Sequence, residues 1–174
     1  MDKVKRIIIW LSRIFCCRGF GIQSPTDYAF VRYVINEQWP YYAYQKLNEL
    51  TDDWLTRKLG MLYFRLANWR QPSLMQRDEY EPYWKAGCQR VVLTDHLDKV
   101  ELARFDIHDS DAIATIYNKV DSRSVIVIER IYQDWNIWHE IERDSRTGVT
   151  FDLYYCGIIF FDTKRQKLHY KVNF

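Results

Sequence analysis

The feature that most constrains this chain is a change of hydrophobic period part-way along it. Before Pro72 the apolar side chains recur at helical spacing, whereas from Arg90 onward they fall in short β-branched and aromatic runs. A helical stretch followed by strands alternating with helices predicts an α/β protein. At 174 residues one domain with a core of its own is expected.

The first stripe is Val4, Ile7, Ile8, Leu11, Ile14 and Phe15, with Lys3, Lys5, Arg6, Arg13 and Arg18 around it. This basic amphipathic helix suits packing on its own domain or on a partner subunit. The alternative is an anionic membrane surface reached through residues 1–18, where Cys16 and Cys17 can carry a lipid. Ser24 is placed as an N-cap with Pro25 at the first helical position, and Ala29, Phe30, Tyr33 and Val34 supply the next stripe. Tyr44 to Asp53 and Trp54 to Trp69 read as further helices, and Pro72 ends the run.

After Pro72 the segment QRDEYEPYWKAG predicts a loop or one short helix. Strands are expected at Arg90 to Thr94, Val100 to Phe105, Ser124 to Ile128, Val149 to Tyr154, Gly157 to Phe161 and Leu168 to Val172. Asp109 and Asp134 are placed to cap two helices between them. The last three strands have no helices between them and predict an antiparallel C-terminal edge. The organisation read from this is a helical extension over residues 1–71, packed on a reduced sheet core over 72–174.

Composition narrows the function. A net charge of +2 does not argue for a nucleic-acid partner, and the acids between Asp95 and Asp111 oppose a continuous basic groove, so none is expected. The 7 Trp, 13 Tyr and 9 Phe suit an aromatic core, an interface or a stacking surface. Cys16, Cys17, Cys88 and Cys156 form no CxxC pair, which points to a reducing cytoplasm rather than a disulfide framework or a zinc site. No run approaches the roughly 20 apolar residues that span a bilayer, and no nucleophile motif accompanies the four His.

Two blocks carry a family resemblance. The first is RGFGIQSPTDYAFVRYVI with YYAYQKLNEL and KLGMLYFRLANWRQP; the second runs from SRSVIVIERIY through WNIWHEIERDSRTGVTFDLYYCGIIFFDTKRQKLHYKVNF. Together they resemble the bacterial S-adenosylmethionine-dependent O-methyltransferase-like family with a long helical N-terminus. The resemblance implies a Rossmann-like, methyltransferase-type sheet with a helical N-terminal extension. It also puts Asp106 and Glu129 at the carboxyl ends of sheet strands, as candidate catalytic groups.

Where that family carries an acidic, glycine-rich cofactor loop, this chain has SLMQRDEYEPYWKAGCQRVVLTD, in which Gly87 stands alone. Glycines allow the tight strand-to-helix turn and the close approach of backbone N–H groups to a cofactor. Their loss implies a pseudoenzyme: a non-catalytic binding or scaffold protein, without cofactor, that acts through a protein partner or as a homodimer. Apolar surface is then expected near Trp69, Tyr80, Tyr83 and Trp84. The alternative is a working methyltransferase in which Asp95 or Glu101 holds the ribose of S-adenosylmethionine and Asp106 or Glu129 stands near the acceptor.

No metal is expected, because relatives that use one pair two acids where this chain has Glu129-Arg130, and the arginine repels a cation. The cluster Asp95, His96, Asp98, Asp106, His108, Asp109 and Asp111 is the densest set of acid-base groups, although several suit caps and turns. Tyr132, Trp135, Trp138 and His139 read either as core or as an aromatic wall. In the turn holding Gly19, Gly21, Gln23 and Ser24, Phe20 and Gln23 stand where relatives often carry histidines.

Overall fold

The computed structural model describes residues 3–16 and 21–174. Cys17, Arg18, Gly19 and Phe20, which carry part of the lipidation and first-turn readings, lie outside the described residues. The chain divides into two compact units: Met1–Ser73 with Arg77–Val92 and Asn173–Phe174, and Leu74–Gln76 with Leu93–Val172. Residues 77–92 therefore group with the helices, although they follow the first strand in the chain.

The helical unit contains α1 (Lys3–Ser12), α2 (Pro25–Phe30), α3 (Ala43–Asn48), α4 (Trp54–Arg70) and α5 (Glu81–Gly87). The Ser24 hydroxyl accepts from Asp27 N at 3.4 Å with Pro25 in the first turn, as the sequence predicts. A wider π turn over Val31–Ile35 continues α2. Helix α3 is shorter than the expected 44–53, ending at Asn48.

Asp53 caps α4, its Oδ2 accepting from Thr56 N at 2.8 Å and Thr56 Oγ1 at 2.9 Å. The Thr56 amide, followed by its hydroxyl, holds the Asp53 carboxyl below its ordinary value of 3.8. The contribution of this carboxylate is therefore complete above the ordinary value and lost as pH falls through the lowered one. Asp53→Ala should lower stability by about 1 kcal/mol at neutral pH, with a smaller difference from the parent in melts near pH 3.

The face of α4 that carries Leu59, Leu62, Tyr63 and Leu66 is buried. Tyr63 stacks on Trp84 of α5 with ring centroids 4.7 Å apart. Gly87 fits closely against α4, because a Cβ there would collide with the Phe64 carbonyl and stand 2.9 Å from the Ala67 methyl. Tyr80, Tyr83 and Trp84 are all buried. This corrects the expectation of an apolar surface around them: of the four residues named for it, Trp69 alone is exposed.

The seven strands are β1 (Leu74–Gln76), β2 (Val92–Thr94), β3 (Val100–Asp106), β4 (Val120–Glu129), β5 (Val149–Asp152), β6 (Cys156–Phe160) and β7 (Leu168–Lys171). They form one mixed sheet in the order β2-β1-β3-β4-β6-β5-β7. Pairing is parallel between β1 and β3 and between β3 and β4, while β6 runs antiparallel to both β4 and β5. The protein is thus a mixed α/β protein.

Two sequence expectations change here. Strand β1 was not anticipated; three residues with Met75 alone buried are too short to show a period. The C-terminal edge is antiparallel only between β5 and β6, for β7 pairs parallel with β5. With β6 lodged between β4 and β5, the edge of β5 is the one left for β7, and a third alternating strand arrives in the direction of β5.

One face of the sheet carries Ala103, Phe105, Ile126, Ile128 and Ile159 against α6 (Ser110–Ile116) and α7 (Trp135–Arg143), which contribute Ile113, Ile116, Trp138 and Ile141. Asp134 caps α7 as expected, accepting from Asn136 N and Ile137 N at 3.0 Å each. Asp109 does not cap α6 through its side chain; its carboxylate turns back to accept from Asp106 N at 3.3 Å. Among the described residues no helix is long and apolar enough to cross a membrane.

Candidate functional site

Alternation along a strand puts Arg104 and Asp106 on the face of the sheet opposite the Phe105 side, and register sets Asp106 beside Glu129 on β4. Both carboxylates therefore end parallel strands, side by side, where open α/β sheets collect ligands. Both are buried.

Each carboxylate already faces an arginine. Glu129 Oε2 lies 3.3 Å from Arg104 Nη1, and both side chains are only 11% exposed. Asp106 forms a short ion pair through Oδ2 with Arg130 Nε, and its Oδ1 accepts from His108 N at 3.0 Å. The Arg130 guanidinium is held still more firmly protonated, chiefly by that hydrogen bond. Each of these two carboxylates thus has a guanidinium beside it.

Arg130 reaches Asp106 from a left-handed backbone, φ 59°, in which its N–H donates to Tyr155 O at 2.7 Å. Tyr154, in the turn between β5 and β6, is also left-handed at φ 70°, and its N–H donates to Asp152 Oδ1 at 2.8 Å. Non-glycine residues in this region carry strain and cluster at functional places. The Tyr154 ring stacks on Tyr132 at 5.3 Å and 2°, while Trp135 meets it edge-on at 6.1 Å. The expected aromatic wall is therefore divided, with Tyr132 and Trp135 half-buried beside Tyr154 and Trp138 fully inside the core.

The other candidates lie elsewhere. Asp95 is exposed and lines a cavity of about 310 Å³ with His96, Gln76, Asp111 and Lys119. Glu101 is half-buried at the start of β3, roughly 16 Å along the strand from Asp106. The acid-histidine cluster is thus split: Asp95, His96 and Asp111 share that cavity, Asp106, His108 and Asp109 meet at the end of β3, where His108 also hydrogen-bonds Gln133 at 3.0 Å, and Asp98 is exposed. No three His, Cys, Asp or Glu among the described residues gather to hold a metal ion.

A second cavity, about 330 Å³, lies within the helical unit beside Arg57, Lys58 and Arg65. Its cations are engaged. Arg57 donates to Thr51 O, Arg65 donates to Val34 O and Ile35 O, and Lys58 stands 4.2 Å from the centre of the Phe174 ring.

Sequence reasoning missed Arg104 as the partner of Glu129, although VELARFD gives its face by period two. The left-handed Tyr154 had no sequence signal, since no glycine marks it. The chain matches no protein-family model, no curated protein and no solved structure.

Proposed function

We propose that this is a methyltransferase-like protein with a Rossmann-like sheet that holds no S-adenosylmethionine and acts by binding rather than by catalysis. The strand order supports the first part. It begins 2-1-3-4, as in doubly wound folds whose ligands sit where the order reverses between β1 and β3, here with one reversed strand lodged beyond β4.

The observation that carries the second part is the turn after β1. Cofactor loops present unengaged backbone N–H groups at a helix start. Here Asp78 closes that start: its Oδ1 accepts from Tyr80 N and from Trp84 Nε1, both at 2.8 Å. Its carbonyl takes Glu81 N, Pro82 has no N–H, and the amides of Tyr83 and Trp84 both bond Tyr80 O. Every backbone N–H from Tyr80 to Trp84 is engaged or absent, which supports the reading that this turn does not cradle the cofactor.

The test is a calorimetric titration of the whole protein with S-adenosylmethionine. No saturable heat is expected. Binding tighter than about 100 μM, near −5.5 kcal/mol, would overturn the reading.

A further inference from the structure

Helix α1 sits inside out. Val4, Ile7, Ile8 and Leu11, spaced i, i+3, i+4 and i+7, all face solvent, with Ile8 60% exposed. The opposite stripe, Arg6, Ile9 and Arg13, is half or fully buried, and Arg6 stacks over the Trp54 ring at 4.4 Å. Asn173 fixes this orientation by donating from its backbone N to Cys16 O at 3.0 Å and from Nδ2 to Trp10 O at 3.1 Å. The apolar stripe therefore does not cover its own domain, which was one of the readings the sequence left open.

We propose that this face docks on an anionic lipid surface. Charge selects that occupant. Residues 3–16 include four cations and no acid, and exposed Lys3 and Lys5 flank the stripe on its two sides. In that position their stems lie along the apolar face while the ammonium groups reach phosphates. Trp10 on the edge of the stripe and Phe15 beyond it, 93% exposed, are residues that settle at a membrane–water boundary. A second copy offers the same cations without an acid to pair them, so charge does not favour self-association through this face.

The test is co-sedimentation of the full-length protein with vesicles, together with sedimentation velocity in their absence. The protein should pellet at low salt with phosphatidylcholine–phosphatidylglycerol vesicles and much less with phosphatidylcholine alone. Ile7→Glu with Leu11→Glu should weaken partition about 100-fold, and Lys3→Gln with Lys5→Gln roughly 30-fold on the anionic vesicles. Circular dichroism checks that both variants stay folded, as outward positions allow; should the Glu pair unfold, the wild type and the Lys pair still decide. Absence of wild-type pelleting at low salt, equal pelleting with phosphatidylcholine alone, or unchanged binding by the variants would overturn the proposal. So would a wild-type dimer that the Glu pair converts to monomer without any vesicle binding, which identifies a second copy as the occupant. The outcome is independent of the cofactor titration.

Discussion

Trp138→Ala should lower the stability of the protein by about 4 kcal/mol, among the largest effects a single substitution can have here. The Trp138 side chain leaves α7 and is fully buried, with its six-membered ring lying over Gly157 of β6. A Cβ at position 157 would overlap that ring, so the absence of a side chain on β6 is what admits the indole. Gly157→Ala should accordingly destabilise by about 2 kcal/mol through overpacking.

The two positions must then couple. Trp138→Phe shortens the side chain and removes an indole N–H that has no hydrogen-bond partner, so it should be milder than the lost area suggests. Combined with Gly157→Ala it should recover at least about 1 kcal/mol of the sum of the single effects. Urea denaturation followed by circular dichroism gives all four corners of the cycle. A Gly157→Ala protein as stable as the parent would show that the ring does not occupy that space.

Glu129→Ala should cost about 3 kcal/mol, because it removes the carboxylate from an ion pair whose two side chains are only 11% exposed. Arg104→Met with Glu129→Leu should be closer to the parent than Glu129→Ala, since the pair is then replaced by apolar groups rather than broken. Asp106→Asn should cost about 1 kcal/mol or less, since the partner Arg130 is 51% exposed and remains solvated. This contrast bears on function. Acids kept for chemistry commonly lower stability, so their removal tends to stabilise a protein. A Glu129→Ala variant more stable than the parent would remove the structural reading and return Glu129 to the list of catalytic candidates.

Elements with a clear period or cap were legible in the sequence. Ser24-Pro25 and Asp134 each open a helix, whereas Asp53, read as the end of one helix, caps the next; the runs Val100 to Phe105 and Ser124 to Ile128 became the adjacent parallel strands β3 and β4. The proximity of Asp106 and Glu129 came from the resemblance and not from periodicity; the register of β3 and β4 places them side by side. Less was legible where tertiary contacts decide. Strand β1 has three residues and exists by pairing Met75 with Leu102. The cluster of Tyr80, Tyr83 and Trp84 reads as an exposed remnant until Asp78 and Tyr63 are seen to enclose it. Aspartates at turns defeated chemical reading for a related reason: Asp109 accepts from the Asp106 amide rather than from its own helix start, and sequence does not reveal which local amide a turn aspartate takes.

The bond from Asn173 Nδ2 to Trp10 O spans 163 residues of chain. At ordinary synthesis rates α1 is made roughly 10 to 30 s before the residue that fastens it exists. During translation the exposed apolar stripe of α1 is consequently not yet fastened by this bond, and a nascent chain can meet a bilayer or a chaperone before it meets Asn173. Where the helix comes to rest is then a contest of timing as well as of affinity.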